Sequence, residues 1–418
     1  MYLTQVNVIR GLSKEEYFRL RELCFFSNNL YNVALYNIRQ QYFKDKTYLR
    51  YPKNEPQCKE NENYRLMQSN CAQQTIRVVD QAFKSFFALL KLAKEGKYDY
   101  KKIRLPKYRS KGGLFNYIIQ GNSISIRDGY LTIPFGREYS ELRGKAVIKI
   151  KVPERLSDKK IKEVKIIPLY KGRAFKIAYC YEIEAEDLKL NRDNSLAIDV
   201  GLDNLATCVS SIGTTFIVDG RKIKAINQCW NKRKAKLQSI LSKQKLYTSE
   251  KLQRITMKRN NRIDDYLKKT ANYIIKHCID NDIGTLICGY NSDFKREINL
   301  GKKVNQQFVQ VSFGKLRSQL KSHCERFGMK YIEQEESYTS KASFLDLDEI
   351  PIFEAENPIK YEFSGRRIYR GLYRSKTGKI LNADVNGAAN ILRKSKQRLN
   401  IERLCRGFLD NPLRIRLK

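Results

Sequence analysis

The feature that most constrains the fold of this chain is that the period of its apolar residues changes twice. Ser13 opens an acidic first turn at Lys14-Glu15-Glu16, which reads as a helix start. From there to about Gly96 the apolar spacing is three or four residues. Ile76, Val79, Phe83, Phe86 and Leu90 share one face, which is the pattern of core packing. From about Leu105 to Glu184 the period is two. Ile124 and Ile126 face Leu131 and Ile133 across Asp128-Gly129, a hairpin signal. Ile148, Ile150 and Val152 alternate with lysines, and Phe175, Ile177, Tyr179, Tyr181 and Ile183 alternate after a turn at Lys171-Gly172. Short strands in series predict a β-barrel, and the strand expected over residues 1–11 is placed to join it. The helical block would then be an insertion in that barrel.

From about Asn194 short apolar strands alternate with helices. LAIDV, TLICGY and MKYIEQEESY read as strands. Arg221–Asp280, FGKLRSQLKSHCERFG and NADVNGAANILRK read as helical. This is the pattern of a mixed α/β domain. A length of 418 residues fits two to three domains of about 150 residues each.

Charge narrows the partner. Lys+Arg number 81 and Asp+Glu 44, a net charge of +37, which is foreign to an ordinary neutral metabolic enzyme. Such an excess favours a polyanion, because each phosphate neutralised releases counterions. An anionic membrane surface is the competing partner. No run of about 18 uncharged apolar residues occurs, the first residues lack a signal-peptide core, and no basic helix has a broad apolar face, so no membrane partner is expected. The ten cysteines form no C-x-x-C pair, and there are only two histidines. That pattern reads as reduced thiols, with no disulfide framework and no material for a histidine-rich metal cage.

Two carboxylates stand out. Asp199 ends the apolar strand LAIDV, and Asp384 lies in NADVNGAANI where a helix begins. Taken singly, Asp199 is also a turn-capping loop residue, and Asp384 is also an N-cap. As a pair in a strongly basic chain they gain a chemical meaning. Basic side chains bring phosphate in, and carboxylates hold the Mg²⁺ that phosphodiester cleavage needs.

The strings LAIDVGLDNLATCVSS, INLGKKVNQQFVQVSFGKLRSQLKSHCERFGMKYIEQEESYTSKASFLD and GLYRSKTGKILNADVNGAANILRK, in that order, resemble transposon-encoded TnpB proteins. These are relatives of type V CRISPR effectors and of the Fanzor proteins. The close resemblance covers roughly 195–392, and the amino half resembles the family only in layout. It implies a multidomain α+β protein: a β-barrel (wedge, OB-like) domain carrying an inserted helical recognition domain, then an α/β RNase H-like (RuvC) nuclease. In this chain's numbers the expected layout is barrel strand 1–11, helical domain 12–100, remaining barrel 101–190, nuclease 191–340, insert 341–382, and third nuclease motif with basic tail 383–418.

The resemblance further implies an RNA-guided DNA endonuclease. It would bind one structured guide RNA per protein, recognise a short motif beside the target, and cut double-stranded DNA by two-metal hydrolysis. The setting implied is a prokaryotic cytoplasm, in association with the nucleoid. Asp199 and Asp384 fall on the family's first and third RuvC aspartates. The second-motif glutamate, however, is missing: Gly289 stands at its place in TLICGYN. Relatives with rearranged sites carry the glutamate just before the T-S motif. Glu336 has the matching E-x-x-T-S spacing, with Glu333, Glu335 and Glu297 as weaker substitutes. Asp199, Glu336 and Asp384 are therefore the expected catalytic and metal-binding set, for two Mg²⁺ ions. Asp199 would bridge both ions, and Glu336 and Asp384 would complete one each. The alternative is a nuclease-dead relative that binds guided DNA and represses transcription, and Gly289 is its best support. A third reading is a plain RNA-binding protein using the barrel.

A second departure concerns zinc. Many TnpB proteins carry two C-x-x-C pairs between the T-S motif and the last aspartate. Here 341–382 has neither Cys nor His, and Ala342 and Ser343 stand where the first thiolate would be, so no zinc is expected. Apolar packing of Phe344, Leu345, Leu347, Ile350 and Phe353 is expected to hold this segment instead. The guide–DNA hybrid needs a basic channel that reads its backbone. The candidates are Arg221, Lys222, Lys224, Lys232, Arg233, Lys234, Lys236, Lys302, Lys303 and Lys341. Trp230 is expected to anchor packing.

Overall fold

The computed structural model describes residues 1–144, 147–291, 311–352, 361–369, 371–397 and 409–417. Glu297, Lys302, Lys303 and Phe353 lie outside these. The chain divides into two compact units, Met1–Ile183 and Glu184–Lys418.

In the first unit β1 (Tyr2–Val8) precedes a helical block of α1 (Lys14–Asp45), α2 (Tyr51–Lys59), α3 (Glu62–Leu66) and α4 (Ser69–Lys94). The start signal at Ser13 is a true capping box: Ser13 Oγ accepts from Glu16 N–H, and Ser13 N–H donates to Glu16 Oε2. The stripe on α4 is buried at Ile76, Val79, Phe83 and Phe86. Six strands follow: β2 (Tyr117–Gln120), β3 (Ser125–Arg127), β4 (Tyr130–Thr132), β5 (Lys149–Lys151), β6 (Ile161–Leu169) and β7 (Ala174–Glu182), with α5 (Arg137–Arg143) between β4 and β5. β1 pairs antiparallel with β7, so the helical block is inserted between a strand and its partner. The ladders form a four-stranded sheet, β1-β7-β6-β2, and a separate three-stranded sheet, β3-β4-β5. Among the described residues no ladder closes these seven strands into a ring. Both sheets and the helices share one apolar core, which includes Leu23, Phe83, Ile119, Leu131, Ile150 and Tyr179. The expected hairpin is present, with Asp128 and Gly129 both at positive φ (51° and 75°).

The second unit is built on a six-stranded mixed sheet. Its strands are β8 (Ser195–Asp199), β9 (Asn204–Ser210), β10 (Thr215–Asp219), β11 (Thr285–Tyr290), β12 (Lys330–Glu335) and β16 (Leu413–Ile415). The small strands β13 (Arg366–Tyr369), β14 (Leu372–Arg374) and β15 (Ile380–Asn382) form their own ladder. The large sheet runs β12-β11-β8-β9-β10-β16. β8, β11 and β12 are parallel, whereas β9 is antiparallel to β8 and to β10.

Side-chain alternation sorts this sheet into two helix-covered faces. Leu196, Ile198, Leu286 and Cys288 pack with α6 (Arg221–Lys243), α7 (Glu250–Asp280) and α8 (Phe313–Arg326). Ala197, Val209 and Ile287 pack with Val385, Ala388, Ala389, Ile391 and Leu392 of α9 (Ala383–Lys394). By the same alternation residues 199 and 289 fall on the α9 side. The polar stretch Arg221–Asp280 is thus two helices. The break comes after Gln244, where Lys245 takes a left-handed φ of 55°, and Ser249 caps α7 through Leu252 N–H.

A carboxylate cluster on the second unit

Each acid is placed by the end of a regular element. Asp199 is the last residue of β8, a strand whose first four residues are buried. Asp384 is in the first turn of α9, but it is not the cap. Asn382 caps the helix, accepting from Asp384 N–H (3.0 Å) and Val385 N–H (3.2 Å), and this leaves the Asp384 carboxylate free for other work. Glu336 follows β12 directly, with its N–H donating to Tyr290 O at 3.3 Å.

The strand carrying Gly289 lies between the strand ending in Asp199 and the strand preceding Glu336. A Cβ on Gly289 would stand 2.6 Å from Glu336 Oε2, 2.8 Å from Ile391 Cδ1 and 3.3 Å from Ile198 O. The Glu336 carboxylate therefore lies over the glycine, in space that any side chain there would fill. α9 approaches just as closely: a Cβ on Gly387 would be 3.0 Å from Asp199 Oδ2.

Burial makes two of the three acids costly to ionise, and like charge adds to this at Asp199. Burial, and then the nearby carboxylates of Glu336 and Asp384, push the Asp199 carboxyl up to about 8, against the pull of Arg367. Burial pushes Glu336 up to about 7, although Arg317 favours its charged form. Glu335, one residue earlier, behaves in the opposite way. Burial would raise it, but bonds from Lys394 and Ser337 bring it below the usual carboxylate range. Glu333 is exposed. Asp384 accepts from Asn204 Nδ2 at 2.5 Å and faces Arg367 Nη2 at 3.3 Å. Among the described residues no three His, Cys, Asp or Glu side chains stand close enough to enclose an ion. The donor chemistry nevertheless fits a hard cation: every candidate ligand is a carboxylate oxygen, and burial makes two of the three costly to ionise.

Asp199 and Asp384 line a cleft of roughly 770 Å³ with Asn204, Arg221, Lys224, Arg367 and Arg414. Two of the expected basic residues, Arg221 and Lys224, are in it. Arg221 chelates Asp219, with Nη2 to Oδ2 at 2.5 Å, and Lys224 pairs with Asp203 at 2.9 Å. Arg414 donates to Asn204 Oδ1 at 2.9 Å and so reaches Asp384 through one amide. Arg367 and Arg414 escaped the sequence reading, because no motif marks them and only folding brings them beside the acids. Lys222, Lys232, Arg233 and Lys236 are exposed on α6, and Lys341 is exposed after the T-S motif. Lys234 lies 4.9 Å from the Trp230 ring, whose Nε1 donates to Thr256 Oγ1. Trp230 is thus held by packing and one hydrogen bond.

The cysteine-free segment corrects one expectation. Of the four expected packing residues that are described, only Phe344 is buried. Leu345 and Ile350 are half-buried, Leu347 is 54% exposed, and Phe353 lies outside the described residues. Phe344 and Leu345 do pack against the α9 core with Tyr373 and Leu381, and hydrogen bonds hold the rest. Ser343 N–H donates to Asp348 Oδ2 (2.7 Å), Ser343 Oγ donates to Asp346 Oδ2 (2.5 Å), and Lys376 N–H donates to the same Asp346 oxygen (2.7 Å). Ser364 bonds Asp348 as well, and Asn386 and Asn390 of α9 both donate to Ala342 O. A locally acidic loop cannot bury its carboxylates cheaply, so they are turned inward onto backbone donors.

The first unit holds a second cleft, of roughly 780 Å³, walled by Tyr48, Tyr51 and Phe87 with Arg50, Arg77 and Lys84. Arg77 stacks on Tyr51 at 3.9 Å. Its residues are spread over 40 positions of sequence (48 to 87), and no motif announced it. No helix among the described residues is long and apolar enough to cross a membrane.

This is a mixed α+β fold of the Cas12 effector kind. It superposes on the cryo-EM structure of a Cas12f1–sgRNA–target DNA complex with a TM-score of 0.58 at 16% identity, over 91% of this chain and 83% of that one. The OrfB_IS605 family, described as a probable transposase, matches residues 178–295, and the Cas12f1-like TNB domain family matches 313–391. TnpB-like protein ORF457 of Acidianus two-tailed virus is 24% identical over 426 aligned positions, covering 90% of this chain and 83% of that protein. The chain is thus similar to TnpB-like proteins over most of its length.

Proposed function

We propose that the protein is an RNA-guided DNA endonuclease whose second unit is an RNase H-like (RuvC) nuclease. In this reading 191–340 and 383–418 form the catalytic domain, and 341–382 is an insert within it. The observation that carries the reading is Glu336 lying over Gly289 beside Asp199. A glycine in the usual glutamate position would spell a dead centre if nothing replaced the acid. Here the missing side chain is the space that the replacement acid occupies.

Asp199, Glu336 and Asp384 would hold divalent cations, with Asp384 exchanging its contact with Arg367 for an ion. Bound Mg²⁺ supplies activation of the attacking water and charge for the leaving oxygen. The chain's own side chains do the rest. Asp199 and Glu336 present oxygens whose charged state is costly until a cation arrives. Arg221, Lys224, Arg367 and Arg414 line the cleft, the first three paired with acids in the free protein, and would turn to a phosphodiester backbone when one enters. The Cas12f1 neighbour's complex with an sgRNA and a target DNA supports the partner classes, a guide RNA and a target DNA, and one guide RNA per protein is part of this proposal. The basic–aromatic cleft of the first unit suits an unpaired nucleotide, stacked and salt-bridged.

The test is cleavage of a plasmid carrying the guide's target by protein co-purified with its native guide RNA. Asp199→Ala is expected to reduce cutting to background while RNA retention in a gel shift is unchanged. Undiminished cutting by that variant in Mg²⁺ would remove the nuclease assignment.

A further inference from the structure

Glu335 and Glu336 are adjacent, equally able to bind a cation, and at the same strand end. Something must decide between them. Lys394 is 8% exposed, and its ammonium spends all three protons: on Glu335 Oε2 (2.5 Å), Ser337 O (3.1 Å) and Pro351 O (3.0 Å). The other Glu335 oxygen accepts from Ser337 N–H at 2.6 Å. Both oxygens of Glu335 are therefore committed away from Asp199, whereas Glu336 Oε2 lies over Gly289.

The helix that carries Lys394 also carries Asp384. Positions 384, 387, 391 and 394 recur at helical spacing, and each meets one part of the site. Asp384 lines the cleft, Gly387 admits Asp199, Ile391 abuts Gly289, and Lys394 holds Glu335. We infer that Lys394 is a positioning residue that sorts the two glutamates, withdrawing Glu335 and leaving Glu336 as the acid of the cluster. This rests on the reading of Asp199, Glu336 and Asp384 as a cation-holding set.

The experiment is a double-mutant cycle on the purified full-length protein, without nucleic acid. It is read as the Mg²⁺ concentration that half-saturates the rise in thermal midpoint. With Lys394 present, Glu336→Gln should raise that concentration by about 10- to 100-fold, and Glu335→Gln by no more than about twofold. In a Lys394→Met background the two substitutions should differ by no more than about twofold, because Glu335 is released to compete. If the wild-type discrimination persists in Lys394→Met, Lys394 only anchors the turn and the inference fails. If Lys394→Met does not fold, Lys394→Gln serves in the same cycle; it can still bond Ser337 O and Pro351 O but leaves Glu335 unneutralised. Asp199→Asn separates the two levels. An unchanged Mg²⁺ response in that variant overturns the cation-holding reading itself, whereas a lost response with persistent discrimination overturns only the role of Lys394.

Discussion

Each unit sinks a carboxylate beside a cleft, and the two are treated in opposite ways. Asp80 in the first unit is 4% exposed. Burial alone would raise its carboxyl, but Lys84, the Tyr48 hydroxyl and the Tyr51 N–H outweigh that and bring it below the ordinary range. Its partners are complete, at 2.8, 2.6 and 2.9 Å. At Asp199 in the second unit, burial and two acidic neighbours outweigh Arg367 and the Val200 N–H, and the carboxyl rises to about 8. A buried acid whose valences the chain itself fills is a strut. One that the chain leaves short of positive charge is a receptor for charge from outside.

The sharpest way to break this contrast is to refill the space over the middle strand. Gly289→Ala puts a methyl 2.6 Å from Glu336 Oε2 and 2.8 Å from Ile391 Cδ1. The fold should lose only about 1–3 kcal/mol, as overpacked cores do. Guided cleavage should fall to near background, because Glu336 is pushed off the cluster. Full activity in a plasmid assay would show that Glu336 is not needed where it stands.

Next comes the same chemical change made in both places. Asp199→Asn should raise the metal-free thermal midpoint at pH 8. Folding holds the Asp199 proton more tightly than the unfolded chain does. The wild type therefore loses stability as pH rises from 3.8 towards 8, and the variant is spared that loss. The gap between the two melting curves should widen with pH and close when Mg²⁺ is added to the wild type. Asp80→Asn should act with the opposite sign, lowering the midpoint at neutral pH. Its cost is small, because Lys84 is exposed; each kcal/mol corresponds to about 2–4 °C in a unit of this size. That cost should vanish as pH falls below 3.8 and the wild-type acid is itself protonated. Two shifts of the same sign would dissolve the distinction.

The smallest effect is expected in the first unit's cleft. Arg77→Ala removes the cation stacked on Tyr51 and should weaken guide-RNA retention by about 1 kcal/mol, with little change in melting. An unaltered gel shift at low salt would leave that cleft without a nucleic-acid role.

What could be read from the sequence was whatever a short string encodes. Asp199 was visible because it closes an apolar run, Asp384 because it opens a helix, and Glu336 through its spacing to Thr339 and Ser340. Gly289 was equally visible as a gap for which Glu336 was the expected substitute, but that the glycine also makes room for Glu336 shows only in their close approach. The contacts that join distant strings were out of reach. Asn382 takes the cap that Asp384 seemed suited to, and Arg367 and Arg414 converge on the acids from separate strands. The segment after the T-S motif misled for a related reason. Its apolar residues suggested a small core, yet only Phe344 and Leu345 reach one, and Asp346 and Asp348 share the holding; a linear pattern does not say which way a carboxylate points.

The face of α9 that meets Asp199, Gly289 and Glu335 has a consequence for how this lineage can change. A helix advances about 1.5 Å and turns about 100° per residue, so one inserted or deleted position between 384 and 394 would swing Lys394 away from its glutamate while Asp384 stayed put. Substitutions can accumulate along this stretch, but length cannot drift. Natural variants should show gaps on either side of these eleven positions and none within them.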